Sequence, residues 1–112
     1  MGQNRTDAKL EADYQAGLVD RIEALFPGCF VRKHDIQQGW PDLLIIFGNK
    51  WAMLEVKPYA SAKQQPNQAY WVDHFDSLSF AAFIYPENEE EVLHDLQQAF
   101  CPSRKPRLPV GK

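Results

Sequence analysis

The sequence predicts an α/β layer fold, in the order helix, three strands, helix, strand, helix. Three observations predict it. Apolar residues recur at helical spacing in three segments, four short β-rich runs lie between and around them, and turn residues punctuate most junctions. The 112 residues are 45% hydrophobic and 24% charged, which suits a single globular core and excludes a disordered chain. No apolar run approaches the ~20 residues that a membrane-spanning helix needs. Met1 to Arg5 lacks the apolar stretch of a signal peptide, so a cytoplasmic protein without a membrane partner is expected.

From Asp7 to Phe26, the residues Leu10, Tyr14, Leu18, Ile22 and Leu25-Phe26 mark one helical stripe, ended by Pro27-Gly28. Cys29 to His34 alternates in part and reads as a strand, and Gln37 to Pro41 as a loop. Asp42 to Phe47 and Trp51 to Lys57 are β-rich, and Gly48-Asn49 between them is a favoured hairpin pair. Ser61 to Leu78 predicts a helix with Trp71, Val72, Phe75 and Leu78 on one side; Pro66 is an alternative start. Phe80 to Tyr85 reads as a buried strand stopped by Pro86. Asn88 and Glu91 have the spacing of a capping box, opening a helix that turns Val92, Leu93, Leu96, Ala99 and Phe100 inward. The acids Glu87, Glu89, Glu90 and Glu91 suit the positive end of that helix. Residues 1–100 are thus expected to be one domain. Residues 101–112, with three prolines and four basic side chains, predict a tail without a packed element. Cys29 and Cys101 have no CxxC or Cys/His companions, so they read as thiols rather than zinc ligands: both buried, or one buried and one near the tail.

The hairpin carries the chemistry. With Gly48 and Asn49 as the loop, Phe47 pairs with Lys50, Ile46 with Trp51, Leu44 with Met53, and Asp42 with Glu55. Opposed residues project from one side of a sheet with Cβ atoms ~4.5–5.5 Å apart, and two carboxylates so placed repel unless a cation joins them. Lys57 projects from the same side. Two carboxylates beside a lysine make a reasonable site for a hard divalent cation with a polarising group next to it. On the first helix, Glu11 falls in the middle of the apolar stripe, where a carboxylate needs a partner or a metal. It is either a further ligand or an acid hydrogen-bonded to a neighbouring strand. His34, His74 and His94 show no HxH or HxxxH spacing, which gives a histidine-based site no support.

These residues, Gly39-Trp40-Pro41-Asp42 followed by Leu54-Glu55-Val56-Lys57, resemble the signature of the PD-(D/E)XK nuclease superfamily. Glu11 with Gln15, and Gln68 in Gln65-Pro66-Asn67-Gln68-Ala69-Tyr70-Trp71, are similar to the first-helix glutamate and second-helix glutamine of its small VRR-NUC and phage endonuclease branches. The likeness covers roughly residues 10 to 85 in element order. It implies a restriction-endonuclease-like core, helix–three strands–helix–strand, with the C-terminal helix packed on a central mixed sheet. It implies Mg²⁺, with Mn²⁺ able to substitute, held by Asp42, Glu55, the Val56 carbonyl and Glu11, with Lys57 orienting and helping to deprotonate the attacking water or steadying charge on the phosphorane. Gln68 would reach the scissile phosphate or tie down the site, with Gln64 as its rival. Arg32 and Lys33, with His34, would contact backbone phosphates or form a solvated strand end.

The expected activity is metal-dependent hydrolysis of DNA phosphodiesters leaving a 5′-phosphate and a 3′-hydroxyl. Structure-selective, junction-resolvase-like cleavage in phage or mobile-element DNA processing, in the host cytoplasm, is the implied setting. A homodimer is expected, and no small-molecule cofactor. The alternative is a catalytically silent module of the same fold that binds nucleic acid or a host protein. The formal net charge of −3 argues against a polyanion partner only while the acids lack a cation.

Overall fold

The computed structural model describes residues 6–34 and 37–101. The first helix, α1, spans Asp7–Leu25, and the Thr6 hydroxyl accepts from the Lys9 N–H at 3.1 Å to cap it. Its apolar stripe buries Leu18 and Ile22 fully, and Phe26 just past its end. Leu25 lies at the edge of that stripe and stays exposed. Pro27-Gly28, the glycine at φ +89, turns the chain into β1, Phe30–Lys33.

β2 (Leu43–Phe47) and β3 (Lys50–Val56) form the expected hairpin. Leu43 pairs with Leu54, Leu44 with Met53, Ile46 with Trp51 and Phe47 with Lys50. Gly48, at φ +64, takes the first loop position, where a two-residue hairpin favours glycine. β1 pairs antiparallel with β2, Val31 against Ile45.

The next helix, α2, covers Gln68–Leu78 and not Ser61–Leu78. Pro66 and the left-handed Asn67, at φ 72, set its start, and the preceding residues form the wall of a cleft. Leu78, expected inward, is exposed because it lies past the flank of α2 that meets the sheet. β4 (Phe80–Ile84) then pairs parallel with β3, giving a mixed sheet in the order β1-β2-β3-β4 with β4 at an edge. α2 is therefore the crossover that a parallel pair requires.

The last helix, α3, is Glu89–Phe100, with Val92, Leu96 and Phe100 buried; Ala99 is exposed, contrary to expectation. The capping box does not form. The Asn88 side chain instead accepts from the Tyr85 N–H at 2.9 Å and donates to the Phe83 carbonyl at 3.1 Å, clamping the turn after β4. Glu89 docks α1 rather than only serving the helix dipole. It accepts two hydrogen bonds from Arg21 (2.6 and 2.9 Å) and one from the Tyr14 hydroxyl (2.8 Å).

The period-2 alternation of the strands sorts the core into two parts. Val31, Leu43, Ile45, Ala52, Leu54, Val56 and Ile84 pack against α1 and α3. Met53 and Ala81 pack against Val72 of α2, with Trp40, Leu44, Trp51 and Phe75 around them. Cys29 is half-buried and Cys101 exposed, so neither is the fully buried thiol expected. The described residues include no helix long and apolar enough to cross a membrane. The basic segment of the tail lies outside the described residues.

Candidate functional site

A cleft of about 410 Å³ opens at the end of the sheet where β3 leaves the hairpin. Glu11 of α1, Asp42, Glu55 and Lys57, and Gln68 at the start of α2 all line it, with Lys63 and Gln65 on the connecting segment. Asp42 stands one residue before β2, immediately after the buried Pro41. Its carboxylate accepts from the Val56 N–H at 2.9 Å, so hairpin register fixes it beside the end of β3. Glu55 shares the parity of Met53, and so projects to the α2 side. Only 2% of it is exposed.

Gln68 is the keystone of the arrangement. Its Nε2 donates to Glu55 Oε2 at 2.7 Å, while its Oε1 accepts from Lys57 Nζ at 2.7 Å and from the Gln65 N–H at 2.8 Å. Both donors converge on one end of the amide and the carboxylate on the other, which fixes the amide's orientation. Lys57 Nζ also donates to the Lys63 carbonyl at 3.2 Å and lies 3.7 Å from Glu55 Oε2. The second oxygen of Glu55, Oε1, is buried and meets no N–H donor among the described residues, while the Glu55 and Asp42 carboxyls lie within hydrogen-bonding reach of each other.

The charges are crowded. Burial, then the neighbouring Asp42 charge, pushes the Glu55 carboxyl up to about 8. Burial raises Asp42 too, opposed by the Val56 N–H. Burial and then Asp42 raise Glu11, with Lys57 and Lys33 pulling the other way. Three carboxyls thus share one close lysine, and at neutral pH the cluster relieves repulsion by keeping a proton on Glu55. A divalent cation would relieve the same repulsion with the acids ionised. No set of three or more His, Cys, Asp and Glu side chains among the described residues is arranged to hold a metal ion. A cation would therefore rest on the Asp42–Glu55 pair, completed by backbone oxygen or water.

The structure brings Glu11, Asp42, Glu55, Lys57 and Gln68 together, with Val56 beside them through its N–H. Gln64, the rival of Gln68, is exposed and does not line the cleft. Lys33 is exposed but close enough for its charge to act on Glu11 and Asp42. Arg32 does not line the cleft; its guanidinium lies over the Phe30 ring, 4.8 Å from the centroid. Lys63 had no signal in the sequence, because it supports Lys57 through its main-chain carbonyl. The Tyr59 hydroxyl, bonded to the Asp7 carboxylate at 2.7 Å, joins the cleft wall to α1 and was equally silent.

Comparison with known proteins adds no relative: no protein-family model, no curated protein and no solved structure matches this chain.

Proposed function

We propose that this protein is a metal-dependent DNA endonuclease with a restriction-endonuclease-like core of the PD-(D/E)XK type. The observation that carries the reading is the meeting of Asp42, Glu55 and Lys57 in one cleft, with the Asp42 and Glu55 carboxyls within hydrogen-bonding reach of each other. Two carboxyls held that close fit a hard cation, which takes the place of the proton between them. The element order and the β3–α2–β4 crossover that delivers Gln68 to the cleft support the same reading.

In this reading Asp42 and Glu55 hold Mg²⁺ or Mn²⁺, with the Val56 carbonyl and Glu11 as further candidates. The ion, when bound, supplies a more acidic water and neutralises charge on the phosphate. The protein's own groups do the remainder. Gln68 and the Lys63 carbonyl hold the Lys57 ammonium within the cleft, where it orients the attacking water and steadies negative charge on the reacting phosphate. Lys33 lies at the rim to meet a flanking phosphate. A homodimer, structure-selective cleavage and a role in phage or mobile-element DNA processing belong to the same proposal.

The test is cleavage of linear, single-stranded, Y-shaped and four-way DNA with and without Mg²⁺. Activity should require the ion and vanish in Asp42→Ala and Glu55→Ala. If purified Glu55→Ala cuts as well as the parent, the assignment is wrong.

A further inference from the structure

α1 and α3 lie on one side of the sheet and run in the same sense. At the start of α3, Glu89 holds Tyr14 and Arg21; at its end, the Phe100 ring meets Phe26, just past α1, at 5.2 Å. Between these two contacts the outer faces of the helices leave a groove of about 1210 Å³. Leu25 of α1 and Leu93 of α3 give it apolar walls, and Pro86 lies at the end beside the start of α3. His94 and Gln97 line both this groove and a smaller hollow of about 400 Å³ that contains Phe26, Phe100 and Cys101. The two therefore form one furrow along α3, reaching Cys101, the last described residue.

The groove is also acidic. Glu87, Glu89, Glu90 and Glu91 line it, and Arg21 opposite them is already bonded to Glu89. Glu87 accepts from the Ala60 N–H at 3.1 Å. Glu90 and Glu91 are exposed and meet no cation among the described residues. The helix dipole accounts for acids at the start of α3, but not for apolar walls beside them. A ligand that suits both features is basic and partly apolar. The chain itself continues from Cys101 with that composition, as Pro102-Ser103-Arg104-Lys105-Pro106-Arg107-Leu108-Pro109-Val110.

We propose that this groove is the docking site of the chain's own basic tail, residues 102–112, folded back along α3. The lengths agree. The 12 residues of α3 rise roughly 18 Å. An extended proline-rich chain rises ~3.1 Å per residue, so the six steps from Cys101 to Arg107 reach about 19 Å. Laid antiparallel to α3, the tail brings Arg107 to Glu90 and Glu91, with Pro106 near the level of Leu93 and Leu108 toward Pro86. Exposed ion pairs are individually weak, but a short tether holds the tail at an effective concentration in the millimolar range, where weak contacts suffice. None of the residues lining the groove lines the cleft, so the proposal is independent of the nuclease reading.

The test is limited trypsin digestion of the full chain at low salt, followed at the bond after Arg107. Cutting there should be about three-fold or more slower than in a free peptide of residues 102–112, because docking shields the bond. The protection should fall in about 0.5 M salt, which screens exposed charge pairs. Glu90→Lys combined with Glu91→Lys should remove it; both acids are exposed, and an unchanged circular dichroism spectrum shows that the variant is folded. A second measurement does not depend on that variant. In nuclear magnetic resonance spectra of the full chain, Arg107→Glu should shift the amides of Leu93, His94 and Gln97. Cutting at the rate of the free peptide, or protection that survives the double substitution, would overturn the proposal, as would unmoved amides in Arg107→Glu. Protection that grows with protein concentration would also overturn it, assigning the groove to the tail of a second copy.

Discussion

One side-chain amide holds the cleft's charged groups in place. Gln68, 9% exposed, bonds an ammonium at one end and a carboxyl at the other. Removing it leaves both buried and underpaired, and hydrogen bonds to charged groups contribute ~1.5–3 kcal/mol each. Gln68→Ala should therefore cost about 2–3 kcal/mol in denaturant unfolding and lower cleavage at least ten-fold. Glu55 gives a pH signature. Its carboxyl titrates near 8 in the folded chain, against 4.5 for an ordinary glutamate exposed to water. The folded state then holds the extra proton between those values, so this stability is full below about 4.5 and declines as pH rises through 8. Burial shifts Asp42 and Glu11 in the same direction. Without divalent cations the melting temperature should fall by several degrees from about pH 5 to about pH 8, and Glu55→Gln should flatten that slope. With saturating Mg²⁺ at about pH 8 the loss should be recovered, because a ligand that binds only the folded state stabilises it. Asp42→Ala should abolish the recovery.

Elements differ in how plainly the sequence announces them. The β2–β3 register was legible from a glycine and an asparagine, because a two-residue loop leaves one pairing and period-2 alternation then places every side chain. That is why the residue pattern alone groups Asp42, Glu55 and Lys57. Gln68 was harder: with Pro66 and Asn67 between them, Gln64 and Gln68 were rivals until the left-handed Asn67 fixed the start of α2. The α1–α3 clamp was not legible, since Tyr14, Arg21 and Glu89 belong to helices whose relative placement no periodicity encodes. Glu89→Ala should cost about 1–2 kcal/mol, more than an isolated surface pair, because it frees both Arg21 and the Tyr14 hydroxyl. A double-mutant cycle with Arg21→Ala checks it. Gly39 gives a sharper case. At φ +91, a Cβ there would stand 3.2 Å from the Trp71 ring. Gly39→Ala should destabilise by about 1–3 kcal/mol and loosen the loop that leads to Asp42, read as a lower melting temperature.

For the molecule as a whole, the two sides of the sheet have different work. One is closed by α1 and α3 over a continuous core of aliphatic side chains with Phe26 and Phe100. The other carries the aromatic cluster under α2, and the cleft opens at the end of the sheet, where α1 and α2 both reach it. Fully buried Leu18 and Ile22 belong to the closed side, so Leu18→Ala should cost ~2–5 kcal/mol without altering the pH slope described above.

The parallel pairing of β3 with β4 has a consequence for the order in which the protein is made. The three-stranded meander joins near neighbours in sequence, but the β3–β4 pair closes only across α2. Gln68 travels on that crossover, so the cleft is completed in the same event that seals the most distant pairing of the sheet. Non-local closure is the slow part of folding. In a refolding experiment, Gln68→Ala should alter the last kinetic phase and leave the early hairpin signal unchanged. A chain still emerging from synthesis would thus carry Glu11, Asp42 and Glu55 before the crossover brings Gln68 to them.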